Sequence, residues 1–283
     1  MTSFDRVAIV DIETKEPPAI RVRDLRIAFD IEKTRDTTAN RALIQVYNLA
    51  PATRARIKDS DIIVQLLAGY AQGDGPKLIF KGEIQRIVHN RQGPDVVTTI
   101  ETQDGVVPLR DARLTASYAP STDAITAVRE IAAKFGIPVK IFDQPVGTFD
   151  NGYAFAGPAK DALEDVCRRF DLEWSVQDGT VQIVASDGTT SEPVILLSAS
   201  SGLIGNPERL TYKVTDLSNP RKRKKAQADW RVRALLHPDL NPARKLRLES
   251  IDVKGDFSIE TLKHAGDTHG DDWLSEVEVK ALV

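Results

Sequence analysis

The chain is poor in the residues that carry most protein chemistry. It has one cysteine and four histidines among 283 residues. A single cysteine, Cys167, excludes an internal disulfide framework and fits assembly in a reducing cytoplasm. Cys167 falls on the apolar face of a predicted helix, the setting of a buried, inert thiol. No run approaches the ~20 apolar residues that a membrane-spanning helix needs. The N-terminus, MTSFDRVAIVDIETKE, lacks a basic n-region and a long apolar h-region, so no signal peptide is expected. Neither sign of charge dominates. The 38 Lys and Arg stand against 41 Asp and Glu, a net charge of −3, which argues against whole-surface attraction to nucleic acid or an anionic membrane. G-x-S-x-G, P-loop and G-x-G-x-x-G sequences are all missing. The GDG at Gly73–Gly75 is a turn, too short to cradle a phosphate.

What remains is the composition of an ordinary soluble protein, 41% hydrophobic and 28% charged, long enough for two or three domains. The first third reads as strands: Asp24–Lys33, Ala42–Leu49, Asp61–Tyr70, Lys77–His89 with a bulge or bend at Gly82, and Val96–Thr102. Pro51 suits the first turn of a short helix, Pro51–Ile57. The middle third changes period. Ala124, Ile125, Val128, Ile131, Ala132 and Phe135 share a helical face, with Ser121 or Thr122 as N-cap and Gly136 just past the end. A second helix after Gly157-Pro158 buries Ala162, Leu163, Val166, Cys167 and Phe170. Each helix runs into a strand, Val139–Phe142 or Glu173–Val176, so the segment reads as a small α/β unit with a weak internal repeat. Asp178-Gly179 is a strong hairpin turn into Val181–Val184. From Val194 the chain is β again, through Val194–Leu197, Leu210–Asp216, Ala226–Leu235, Lys245–Asp252, Phe257–His264 and Trp273–Leu282.

Few residues suggest a site. His264, Asp267, His269, Asp271 and Asp272 are the densest set of possible metal ligands, yet their spacing matches no metal motif. A wide polar turn explains them better, so no metal and no cofactor is expected. Arg221, Lys222, Arg223, Lys224 and Lys225 form the one strong charge run. No aromatic residues interleave with it, so a solvated loop tip or a partner-binding loop suits it better than a nucleic-acid platform. A two-carboxylate glycosidase stays open among so many acidic residues, but no particular pair is favoured. His89 and His237 read as structural, and Trp174, Trp230 and Trp273 as strand residues of the core. No catalytic residue emerges, and no enzyme is expected.

The loop phrases carry more. SGLIGNPE (Ser201–Glu208), LLHPDLNPARKLRLES (Leu235–Ser250) and HAGDTHGDDWLSEVEV (His264–Val279) resemble, in this order, the last domain of baseplate hub proteins from contractile-tailed bacteriophages. FDIEKTRDTTANRALIQVYNLAPATR (Phe29–Arg54) and IFKGEIQRIVHNRQGPDVVTTIETQDG (Ile79–Gly105) resemble their opening, with Phe80, Gly82 and Asp104-Gly105 as recognisable points. The family also relates to the base of the type VI secretion spike.

The resemblance implies a mainly β protein in which two tail-tube-like antiparallel β-barrel domains, at 1–111 and 191–283, flank an α/β insert at 112–190. It implies a homotrimer whose six tube domains make a pseudo-sixfold ring. That ring would join the tail tube protein to the central spike protein, meet other baseplate and tape-measure proteins, and pass DNA without binding it specifically. The place implied is the virion tail baseplate, assembled in the host cytoplasm. Lumen positions should then be neutral or acidic, and Arg221–Lys225 should point outward. The loop carrying them is longer than the family's usual one, and no lysozyme or long spike segment is seen. Two alternatives stay open: a cell-wall hydrolase or glycan-binding tail protein, and a distal tail or hub protein of a non-contractile tail or gene-transfer particle.

Overall fold

The computed structural model describes residues 5–14, 17–57, 62–143, 147–210 and 228–282. The N-terminal part runs β1 (Arg6–Ile12), β2 (Ile20–Val22), β3 (Ile27–Thr34), β4 (Arg41–Tyr47), α1 (Pro51–Arg56), β5 (Ile63–Tyr70), β6 (Lys77–Gln92), β7 (Asp95–Gln103) and α2 (Val106–Asp111). The middle comprises β8 (Arg113–Tyr118), β9 (Thr122–Asp123), α3 (Ala124–Ala133), β10 (Val139–Ile141), β11 (Thr148–Phe149), β12 (Tyr153–Pro158), α4 (Ala159–Arg169), β13 (Leu172–Gln177) and β14 (Thr180–Ala185). The last part is β15 (Ile195–Ser198), β16 (Leu203–Arg209), β17 (Trp230–Leu235), β18 (Lys245–Glu249), β19 (Lys254–Asp267) and β20 (Trp273–Ala281).

The two-residue period builds the sheet strands. In β3, Ile27, Phe29 and Ile31 are buried while Ala28, Asp30 and Glu32 lie half-exposed. In β20, Trp273, Ser275, Val277 and Val279 face inward, and Leu274, Glu276 and Glu278 face out. Among the described residues the outcome is one 13-stranded sheet, not two closed barrels. Its main path is β16-β17-β20-β19-β3-β4-β7-β6-β5-β1-β2, with β18 and β15 branching from β19. The physical reason lies at the centre. There β19 pairs antiparallel with β3, from Thr261 opposite Thr34 to Asp267 opposite Ala28. The backbone groups that each half would need in order to close on itself are taken by the other half. The apolar core follows the seam, since Trp273 and Leu236 pack with Phe29 and the rest of the N-terminal cluster. Gly266 is required there: a Cβ at this position would stand 2.3 Å from the Phe29 ring. A second apolar cluster fills the α/β part, and a third fills the last part.

The sheet repeats itself. The order β3-β4-β7-β6-β5-β1 is matched by β16-β17-β20-β19-β18-β15. Both halves place a first hairpin beside a second, and the long strand of the second carries a bulge at the same place. Gln85 is skipped between Ile84 and Arg86, and Glu260 between Ile259 and Thr261. Aligning the bulges sets Ile87 on Leu262 and His89 on His264. Both histidines bond a hydroxyl on the neighbouring strand: His89 Nδ1 to Thr98 Oγ1 at 3.0 Å, and His264 Nδ1 to Ser275 Oγ at 2.8 Å. The halves differ at one end, where β1 runs antiparallel to β5 but β15 runs parallel to β18.

Several expectations need correction. Gly82 is not the bulge. It is strand pressed on the neighbouring strand β7, where a Cβ would meet the Gln103 carbonyl oxygen at 2.5 Å; the bulges fall on either side of it. Leu203–Arg209, read as a loop, is the strand β16, and the strand expected at Leu210–Asp216 falls almost wholly outside the described residues. Strand β1 is an addition to the expected strands; it buries Ala8, Ile9, Val10 and Ile12. Helix α3 takes Asp123 as its N-cap, without a side-chain capping bond, and not Ser121 or Thr122.

Candidate functional site

The densest chemistry lies where the α/β part meets the sheet. At the tip of the β13–β14 hairpin, Asp178 and Gly179 both adopt positive φ, 53° and 73°, the left-handed pair that a two-residue hairpin turn of this kind demands. This turn presents the Asp178 carboxylate to Lys33 at the end of β3. Lys33 Nζ lies 2.7 Å from each carboxylate oxygen and 3.2 Å from Asn241 Oδ1, in the loop after β17. One buried ammonium thus joins all three parts of the chain. Arg35, two residues on, does the same. It donates to Glu173 on β13 at 2.8 Å, to Ser258 on β19 at 2.9 Å and to the Ala185 carbonyl at 2.8 Å. Asn40 accepts from the Thr34 N–H and donates to the Val176 carbonyl, and Gln177 donates to the Thr34 carbonyl.

Asp104 completes the junction. It is fully buried and accepts the Gly179 N–H at 3.0 Å. Burial first, and then the charge of Asp178, push its carboxyl up to about 7. A carboxyl poised near neutrality beside a lysine has the makings of an acid–base pair. Here the inference fails on access: Asp104 and the Lys33 side chain are sealed in the junction, and no substrate atom reaches them. Lys33 and Arg35, buried and paired across the three parts, fix geometry.

The outer face of the sheet has a different character. Charges of opposite sign stand side by side across five strands, β17, β20, β19, β3 and β4. Arg233 faces Glu276, Glu276 faces Lys263, Lys263 faces Glu32, Glu32 faces Arg41, and Arg41 faces Gln103. Ion pairs join Arg233 to Glu276 at 2.8 Å and Lys263 to Asp30 at 2.9 Å; a further close pair is Arg41 with Glu32. On the rows to either side, Arg231 meets Glu278 at 2.9 Å and Arg86 meets Glu101 at 3.2 Å. A shallow hollow of about 470 Å³ on this face is lined by Asp30, Glu32, Arg41, Leu43 and Glu101, among others. The row crosses the β19–β3 seam without a break.

The structure disperses the five candidate metal ligands. His264 points into the core, where burial pushes its imidazole down to about 3. Asp267 grips Arg26 with both oxygens and accepts the His269 N–H of its own loop at 2.9 Å. His269 bonds Thr268, while Asp271 and Asp272 stay on the turn beside the Arg6 guanidinium, which donates to the Gly270 and Asp271 carbonyls. Cys167 is buried, and desolvation pushes its thiol up to about 12. Trp273 packs edge-on to Phe29, and Trp174 donates to Glu164. Arg221–Lys225 lie outside the described residues. Sequence reasoning missed the junction: Lys33, Arg35 and Asn40 are ordinary polar residues around one turn, Asp104 was noted only as part of a family phrase, and Asp178-Gly179 alone was read as a turn.

No protein-family model and no curated protein matches the chain by sequence. Solved structures do match. A tail protein from Neisseria meningitidis MC58 superposes with a TM-score of 0.65 at 13% identity, over 98% of this chain and 97% of that one. The 43 kDa tail protein of prophage MuSo2 from Shewanella oneidensis gives 0.66 at 9% identity, over 98% of each chain. The fold is that of tail proteins. The E. coli c3393 protein, a component of the type VI secretion system with structural similarity to the T4 bacteriophage tail proteins gp27 and gp5, gives 0.59 at 13% identity. That match covers 97% of this chain and 77% of c3393. The tail-protein fold thus extends over the whole β-α/β-β arrangement, junction included.

Proposed function

We propose that this chain is a structural, non-enzymatic subunit of a phage-type tail and serves as its baseplate hub. Three copies form a pseudo-sixfold ring that joins the tail tube to the central spike and continues the DNA channel. The observation that carries the reading is the doubled sheet, in which six strands of one half repeat the order of the other. Three copies of a doubled unit supply six similar walls, and a sixfold tube can then meet a threefold spike. The tube-like units would be residues 1–111 and 191–283, with 112–190 as the insert; the α/β cluster, whose buried residues run from Ala112 to Ile183, supports the bounds of the insert.

The outer sheet face suits a channel wall. Its charges are paired across strands and nearly balanced, so a passing polyanion meets little net attraction and releases few counterions. The junction supplies what a load-bearing ring needs, an insert that does not swing on its two connections. The partners of this reading are the tail tube, the spike and neighbouring baseplate and tape-measure proteins, and its place is the virion tail.

The test is the mass of the full chain by light scattering across concentrations, with and without the spike protein. Three copies are expected. A strict monomer that ignores the spike and sediments with peptidoglycan would replace this reading with a cell-wall-binding one.

A further inference from the structure

The atoms around Lys33 Nζ form a closed triangle. Nζ lies 2.7 Å from both oxygens of Asp178 and 3.2 Å from Asn241 Oδ1. Asn241 Nδ2 in turn points back to Asp178 Oδ2 at 3.4 Å. An amine, a carboxamide and a carboxylate that touches both of them are thus held together away from bulk water. Asp104 lies behind them, buried, with its carboxyl raised to about 7 by burial and then by the Asp178 charge. The sealing of this junction bars an outside substrate. A reaction between groups already inside it needs none.

We propose that Lys33 and Asn241 join in a self-catalysed isopeptide bond, with Asp178 as the proton carrier. The ion pair is the state of the newly folded chain, and the amide forms from it on standing. Asp178 takes a proton from the Lys33 ammonium. The free amine attacks Asn241 Cγ, which is one C=O bond away from an oxygen that Nζ already touches. Asp178 passes the proton to Asn241 Nδ2, and a second Nζ proton follows by the same carboxylate. The Cγ–Nδ2 bond breaks and the nitrogen leaves as ammonium. One C–N bond replaces another, nothing is oxidised or reduced, and the charge of the lysine departs with the ammonium.

Three physical arguments support the step. Burial makes an ion pair costlier than it is in water and so eases its return to neutral acid and amine. Fixed neighbours about 3–3.5 Å apart react as if at very high concentration. The usual ageing of an asparagine, attack by the next residue's backbone nitrogen, is closed here, because Pro242 has no N–H. Asp178, 16% exposed at its side chain, gives the ammonium a way out. The link would span 208 positions, from the first β part to the last, and a loop that long restricts the unfolded chain strongly.

Intact mass and peptide mapping of the full chain test it, over days at neutral pH. The folded chain should be, or become on standing, lighter by one ammonia. Trypsin should then release peptide 27–35 joined to peptide 234–244, uncut after Lys33. Chain held in urea should form no such link, and neither should N241A. D178A should form it at least ~100-fold more slowly, the worth of a positioned acid–base group. A folded parent chain that keeps its full mass overturns the bond, whether or not the variants fold. An ammonia loss without the joined peptides places the loss at another side chain and overturns it too. Loss of water with a link to Asp178 overturns Asn241 as the acceptor, and a D178A chain that links at the parent rate overturns the proton carrier. None of these outcomes depends on the number of copies in solution, so the bond and the ring stand or fall separately.

Discussion

Lys33 and Asp178 hold the sheet and the α/β part together through two 2.7 Å contacts, with the lysine side chain 1% exposed. Asp178 is placed by a turn that only a few residues can adopt, and Lys33 lies on the core-facing phase of β3 with Ile27, Phe29 and Ile31. A methionine at position 33 fills the same volume but leaves the carboxylate and Asn241 without their cation. Breaking one side of a buried pair costs about 3 kcal/mol or more. Urea unfolding of K33M should show a loss of that order, and K33M with D178N should recover part of it. A loss under about 0.5 kcal/mol would put the pair in the class of exposed surface bridges and remove it from the junction.

Asp104 gives the junction a pH signature. Its carboxyl is raised from an ordinary 3.8 to about 7, first by burial and then by the Asp178 charge. A raised carboxyl binds its proton more tightly in the folded chain. Its contribution is complete below about pH 4 and fades as pH climbs to about 7 and beyond. D104N keeps an oxygen for the Gly179 N–H and has no proton to lose. The stability of D104N relative to the parent should therefore rise between pH 4 and pH 8, by on the order of 2 kcal/mol. Denaturation at each pH reads this difference, and other titrating groups cancel. A flat difference would mean that Asp104 is ionised at little cost.

Local signals made much of this fold legible. The alternation of Ile27, Phe29 and Ile31, the turn at Asp178-Gly179 and the helical face of Ala162, Leu163, Val166 and Cys167 each place their element to within a few residues. The long-range facts were not legible in this way. Whether β3 closes a barrel or joins β19 depends on pairing between residues more than 200 positions apart, and no local pattern encodes it. The repeat left a faint trace. Ile84, Ile87 and His89 share their spacing with Ile259, Leu262 and His264, but it is too short to be found without the bulges that align it. The junction is silent in sequence because Lys33, Arg35, Asn40 and Asp104 gain their meaning from what the insert brings to them.

His264 carries the last prediction. It is fully buried in the seam with Nδ1 on Ser275, and desolvation, then the charges of Lys33 and His237, push it from 6.5 down to about 3. A histidine lowered in this way is neutral in the folded chain, while the unfolded chain takes up a proton below about 6.5. Its contribution is complete above that value and is lost as pH falls toward 3. The sign is opposite to that of Asp104, so the two groups bound the stable range from either side. H264N retains a polar atom near Nδ1 and removes the titration. At pH 7 the parent should be the more stable of the two, because the asparagine leaves part of the ring volume empty. Between pH 6.5 and pH 4 that advantage should shrink by about 2 kcal/mol or more. Its persistence down to pH 4 would mean that the imidazole protonates within the folded sheet, and that the β19–β3 seam admits water where the structure has it closed.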